Sequence, residues 1–192
     1  MDNLKKIQKT GIGVVGLPGS GKSIVSEVAK ELGIPTIVMG DVIRQTCIDR
    51  GLEINSENVG TVMVKIREEE GMNIVAKRTL PKLSEIEKSV VIIDGLRSFE
   101  EVELFRKHLN KFFIVAIHAS PRTRYARIRK RSRFDDSKNL KVIQERDFRE
   151  INAGIAKIIA LADVMFVNEG RINPLKRRIS KILRLIKENK WR

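Results

Sequence analysis

The chain has 192 residues, 42% of them hydrophobic and 32% charged, which is enough apolar mass for one sizeable core and excludes wholesale disorder or a collagen-like rod. No apolar run approaches the roughly 20 residues that cross a bilayer, and the opening residues 1–15 lack a signal-peptide apolar region and cleavage site, so a soluble, cytoplasmic protein with no membrane partner is expected. The 38 basic and 24 acidic residues leave a formal charge of +14, and Cys47, the single cysteine, excludes an internal disulfide and a thiolate-built zinc site.

In chain order, Ile12 to Val15 is a short apolar run that ends at a glycine. Ile24, Val25, Val28, Ala29 and Leu32 then mark one face of a helix stopped by Gly33. Thr36 to Met39 reads as a second strand and residues 41–50 as a helix closed by Gly51. Ser56 is the expected N-cap of a helix reaching Gly71, and a further helical stretch runs from Asn73 to about Leu83. Val90 to Ile93 and Phe112 to Ile117 are continuous apolar runs rich in β-branched residues, the pattern of strands buried on both faces. Helices are expected at 98–109, 121–131 and 140–161, then a strand from Val164 to Val167 and a terminal helix. Five strands separated by helices predict an α/β fold of three layers, a parallel sheet covered on both sides, as one domain over residues 1–192.

The charge is unevenly spread. Residues 121–133 contribute +7 and residues 171–192 contribute +8, leaving −1 for the remainder. Such clusters suit polyanions, whether nucleic acid, acidic lipid or polyphosphate; the plainer reading is a solvated surface. For the terminal segment the plainer reading is favoured, because Ile172, Leu175, Ile179, Ile182, Leu183 and Ile186 form one helical face with basic residues on the other.

Gly16-Leu17-Pro18-Gly19-Ser20-Gly21-Lys22-Ser23 fits the Walker A pattern, between a strand and a helix where that pattern belongs. Glycines there let backbone N–H groups converge on phosphate oxygens at the positive end of the following helix. Lys22 would add charge at the β- and γ-phosphates of ATP, and the Ser23 hydroxyl would ligate Mg²⁺. Asp94 ends the strand Val90 to Ile93 and sits where a Walker B carboxylate would hold the ion's water shell; a strand-end aspartate turning the chain before Gly95 is the alternative.

The remaining motifs resemble nucleoside monophosphate kinases. Gly16-x-Pro18-Gly19-x-Gly21-Lys22 is similar to the adenylate kinase form of the P-loop, Gly40-Asp41-Val42-Ile43-Arg44 to that family's Gly-Asp-x-Leu-Arg segment, and Asp94-Gly95-Leu96-Arg97 to its Asp-Gly-Phe-Pro-Arg signature without the proline. Arg127 and Arg131 resemble the arginines that open the lid, and Arg133-x-Asp135-Asp136 with Arg146 its closing segment. The resemblance runs from about residue 12 to 170 and is strongest to archaeal proteins described as adenylate kinase-related. It implies a P-loop NTPase fold with sheet order 2-3-1-4-5, a helical acceptor-binding insertion at about 40–88 and a short lid at about 121–139. It also implies that Arg44 and Arg97 hold the acceptor phosphate while Arg127, Arg131, Arg133 and Arg146 act on the donor and the transferring group. Guanidinium groups suit that work because their paired N–H donors grip phosphate oxygens and offset repulsion between two polyanions.

The departures bear on the acceptor. Ser23 follows Lys22 where adenylate kinases have Gly-Thr, and the lid between Arg131 and Arg133 is nearly absent. Gly19-Ser20-Gly21-Lys22-Ser23, Ala162-Asp163 and Asn168-Glu169-Gly170 look instead like dephospho-coenzyme A kinases. Asp41, beyond the second strand, could orient Mg²⁺-bound water, accept a hydroxyl proton or simply cap the helix at 42–50. The expected function is Mg²⁺-dependent transfer of the ATP γ-phosphoryl to a nucleoside monophosphate or related nucleotide, with phosphorylation of a ribose hydroxyl on dephospho-coenzyme A as the rival. A switch ATPase docked on RNA or protein through the basic segments is a third reading. It is less favoured, since only Tyr125 and Phe134 lie near the arginine run to stack on bases. His108 and His118 have no metal-ligand spacing and are expected to be structural.

Overall fold

The computed structural model describes residues 6–131 and 138–191; Arg133, Asp135 and Asp136 of the expected lid lie outside the described residues. Among the described residues, five parallel strands run in the order β2-β3-β1-β4-β5, the order that the resemblance implies. The central strand β1 (Ile7–Val15) pairs with β3 (Val90–Asp94) in the register Ile12↔Ile92 and with β4 (Leu109–His118) in the register Ile12↔Phe113. The edges are β2 (Thr36–Val38) and β5 (Val164–Val167).

The two-residue period of the strands sorts their side chains between two cores. Val91 and Ile93 of β3 join Ile114 and Ala116 of β4 on one face, while Val90, Ile92, Val115 and Ile117 point to the other. The second face is covered by α1 (Ser23–Glu31) and α9 (Ile172–Lys187), which insert Val25, Val28, Leu175, Ile179 and Leu183. On the first lie α2 (Gly40–Asp49), α3 (Ser56–Glu70), α4 (Ile74–Glu85), α5 (Phe99–His108) and α8 (Ile155–Ala160). Each buried aliphatic side chain contributes about 1.5–3 kcal/mol, so a sheet covered on both sides calls for strands with no polar alternation. Cys47 is part of the first core and fully buried. The remaining helices, α6 (Pro121–Lys130) and α7 (Leu140–Asn152), pack against each other. No helix among the described residues is long and apolar enough to cross a membrane.

Several boundaries differ from the sequence expectation for physical reasons. β1 begins at Ile7 and β4 at Leu109, because Thr10 pairs with Val90 and Lys111 through backbone groups, which need no apolar side chain. The helix expected over 140–161 is two, α7 and α8, since Gly154 adopts φ +108, outside the right-handed helical region. α3 is capped by Asn55, not by Ser56: the Asn55 side chain accepts the Asn58 N–H at 2.9 Å. Asp41 is no cap either, because α2 starts at Gly40 and Asp41 falls in its first turn. Ile172, expected on the buried face of the terminal helix, is 52% exposed.

Candidate active site

The turn between β1 and α1 is a tight loop held by its own backbone, with Ser20 N–H donating to Leu17 O at 3.1 Å and Ile24 N–H to Gly21 O at 3.0 Å. Its glycines are required by crowding as well as by conformation. Gly19 and Gly21 have φ of +80 and +99, and a Cβ would come within 2.6 Å of Arg124 O at Gly19 and 2.3 Å of Asn168 Nδ2 at Gly21. The loop is thus pressed between α6 and the segment after β5. Asn168 is buried there and donates from Nδ2 to Ser20 O at 2.8 Å.

Lys22 turns back over this loop, its ammonium donating to Gly16 O at 2.6 Å. Burial first, and then the positive charge of Arg97, lower its pKa from the usual 10.5 to about 8, against the opposing pull of Asp94 and Glu150. Ser23 opens α1 with an exposed side chain, and Asp94 closes β3 with a buried Oδ1 that has no hydrogen-bond partner. A hydroxyl and an orphaned carboxylate oxygen on the same cleft wall are hard oxygen donors of the kind Mg²⁺ takes, so these residues fit the ion. The glycine cradle fits a polyphosphate on the same grounds.

In front of the loop lies a cleft of about 410 Å³, walled by the P-loop, the β2–α2 junction, α3, the end of β3 and α7. It brings together Pro18, Gly19, Gly21, Lys22, Ser23, Arg44, Asp94, Arg97, Arg131 and Arg146, which are far apart in sequence. Gly16, Leu17 and Ser20 are not part of the lining. Asp41 is also outside it: its carboxylate is paired with Arg44 at 2.8 Å on a side chain that is 54% exposed. Arg127 sits apart from Arg131 and Arg146, donating to Asn168 O at 2.9 Å beside the P-loop. Arg133 is outside the described residues.

Sequence reading missed several groups. Arg149 and Glu150 line the cleft from α7, and Glu150, 3% exposed, forms an ion pair with Arg97. They lie three and four residues beyond Arg146, a helical spacing that could have flagged them. Arg67 lines the cleft from α3 and is paired at 2.7 Å with Glu101, both side chains buried. Glu101 also accepts the Arg97 backbone N–H at 2.7 Å, so one carboxylate ties the loop after β3 to α3. Glu169, already named in the Asn168-Glu169-Gly170 segment and outside the lining, accepts the Ser120 N–H and, at 2.5 Å, the Thr123 hydroxyl; these bonds, the backbone one first, lower its pKa to about 2. Among the described residues no group of three or more His, Cys, Asp or Glu side chains is arranged to hold a metal.

The AAA domain family matches residues 15–144. A UPF0200 protein of Hyperthermus butylicus is 44% identical over 170 residues, covering 88% of this chain and 91% of the relative. Another, of Methanocaldococcus jannaschii, is 44% identical over 180 residues, covering 93% and 91%. Among solved structures the chain is similar to TT1252 from Thermus thermophilus, with a TM-score of 0.64 at 17% identity over 94% of this chain and 98% of that one. It is likewise similar to shikimate kinase from Bacteroides thetaiotaomicron, with a TM-score of 0.59 at 18% identity over 92% and 99%. At such identities the likeness is one of fold, that of the P-loop kinases.

Proposed function

Because the chain belongs to the UPF0200 family and carries an AAA domain on a P-loop kinase fold, we propose that it transfers the γ-phosphoryl of ATP to a nucleoside monophosphate or closely related nucleotide. The observation that carries this reading is the convergence of Lys22, Arg44, Arg97, Arg131 and Arg146 on one cleft beside the glycine cradle. Two polyanions must come within bonding distance there, and a ring of cations offsets their repulsion.

In this reading the backbone of residues 16–23 binds the donor phosphates and Lys22 reaches the transferring group. Arg44 and Arg97 hold the acceptor phosphate; Arg131 and Arg146, with Arg133 of the lid, meet the charge that develops during transfer. Arg127 serves the donor end by fixing the segment at Asn168 against the P-loop. Ser23 and Asp94 would hold Mg²⁺, which when bound neutralises charge on the donor phosphates. A phosphate acceptor is already anionic and needs no base, whereas a hydroxyl acceptor gains from a carboxylate at its oxygen. Asp41, outside the lining and bound to Arg44, is not placed as such a base, which favours the phosphate.

The test is a panel of nucleoside monophosphates and dephospho-coenzyme A assayed for acceptor-stimulated ADP release. One or more monophosphates should stimulate release, and Lys22→Ala should abolish it without altering the circular dichroism spectrum. Activity confined to dephospho-coenzyme A would establish the hydroxyl kinase instead.

A further inference from the structure

We propose that the acceptor carries a second anionic group, a phosphate or carboxylate besides the one that receives the phosphoryl, and that Arg149 binds it. The inference rests on the acceptor-phosphate reading above.

The cations of the cleft can be sorted by their carboxylates. Arg44 has Asp41 at 2.8 Å, Arg67 has Glu101 at 2.7 Å and Arg97 has Glu150. Arg149 is half-buried in the same wall and, among the described residues, its side chain makes no hydrogen bond or ion pair. A partly desolvated guanidinium without a partner is unfavourable, and a bound anion removes the penalty. Arg67 adds a second unmet donor, because its Nε is buried without a hydrogen-bond partner although its Nη groups are engaged.

Arg149 is also positioned by packing. A Cβ at Gly60, in the middle of α3, would lie 3.3 Å from Cζ of Arg149 and 3.4 and 3.6 Å from its two Nη atoms. The guanidinium therefore lies close against the backbone of α3 at Gly60, where an added methyl would make it give by a few tenths of an ångström, and a glycine inside a helix is unfavourable relative to alanine unless close approach calls for it. Arg146 and Arg149, three residues apart on α7, both line the cleft. The cleft lining also carries the apolar side chains of Ile43, Val59, Met63 and Val75. A ligand with an apolar or planar body and two separated anions, as in a nucleoside bisphosphate, matches that wall.

Equilibrium titration of the full chain, with its P-loop filled by a non-hydrolysable ATP analogue and Mg²⁺, tests this. The probes are adenosine and cytidine 5′-monophosphates and the corresponding 2′,5′- and 3′,5′-bisphosphates. At least one bisphosphate should bind about tenfold or more tightly than its monophosphate, the usual worth of a hydrogen-bonded charge. Arg149→Ala should weaken that bisphosphate about tenfold more than the monophosphate, and Arg149→Lys should restore part of the difference. Absence of any bisphosphate advantage would overturn the proposal. So would an equal loss for both ligands in Arg149→Ala, which would make Arg149 a grip on the shared nucleoside body. Failure of the kinase reading itself is seen separately, as no acceptor-stimulated ADP release whatever the titrations give.

Discussion

Arg124 grips Asp147 with both of its terminal nitrogens, at 2.9 and 2.6 Å, and the same guanidinium donates to Pro18 O at 3.1 Å. This buried pair joins the P-loop to α7, the helix that presents Arg146 and Arg149 to the cleft. The glycine loop and the arginine-bearing α7 are thereby fixed to each other by a single side chain on α6.

Removing the carboxylate should be costly. Asp147→Ala leaves a buried guanidinium with no counter-charge and takes a hydrogen bond from the Tyr125 hydroxyl at 3.0 Å. A loss of about 3–5 kcal/mol in unfolding free energy is expected by denaturant titration. An unfolding midpoint within error of the parent would show that the pair does not hold α7 to the loop.

The depressed pKa of Lys22 gives nucleotide binding a pH signature. In the ligand-free protein its charge is lost as pH rises through about 8, whereas the unfolded chain keeps it to the ordinary 10.5. Below pH 8 folding bears the full cost of burying the charge, and that cost is relieved between pH 8 and 10.5. Phosphate oxygens favour the charged form. Nucleotide affinity should therefore fall above pH 8, and calorimetry at pH 9 in buffers of different ionisation enthalpy should register proton uptake on binding. Lys22→Met should show no such uptake; persistence of the uptake in this variant would assign it to another group.

The arginines expected to work together divide by position. Arg131 and Arg146 line the cleft, so Arg131→Ala or Arg146→Ala should lower kcat by about a hundredfold or more while weakening ground-state nucleotide binding much less. Arg127 holds carbonyls of Asn168 and Gly19 instead, and Arg127→Ala should chiefly raise the KM for ATP, by roughly tenfold. Steady-state kinetics separate the two patterns, and a pure kcat loss in Arg127→Ala would return it to the transferring group. Loss of RNA binding with normal turnover would mark residues 121–131 as a docking surface.

Arg44 and Asp41 decide between acceptors. Arg44→Ala should raise the acceptor KM by about ten- to a hundredfold, the range for a lost charge-assisted phosphate contact. Asp41→Asn removes an exposed ion pair of the kind worth about 0–1 kcal/mol, and should change turnover by less than about fivefold. A steep loss in Asp41→Asn with dephospho-coenzyme A as acceptor would identify Asp41 as a base.

What could be read directly from the sequence was local. The strand, glycine loop and helix around Lys22, the carboxylate at the end of the apolar run Val90 to Ile93, and the buried strands themselves depend on neighbours a few residues apart, and so on periodicity and turn chemistry. The same locality explains where sequence reading stopped short. The lower ends of β1 and β4 carry Gln8, Lys9, Asn110 and Lys111, whose side chains are silent about backbone pairing, and the break at Gly154 is a matter of one φ angle in an otherwise helical pattern.

The cleft is different in kind. Whether an arginine faces phosphate, a carboxylate or solvent depends on which distant segment packs beside it, and no spacing encodes that. Arg67 meets Glu101 across 34 residues and Arg124 meets Asp147 across 23, while Arg97 finds Glu150 from another layer of the fold. Asp41 and Arg44 are neighbours on one helix turn, yet with α2 packed against α3 and α4, Arg44 lines the cleft and Asp41 stays outside it. The glycine loop and the sheet that carries it were legible in the chain because both are built from near neighbours. Tertiary structure alone decided which charges are matched within the protein and which, like that of Arg149, make no ion pair among the described residues, because burial and pairing are properties of the packed chain.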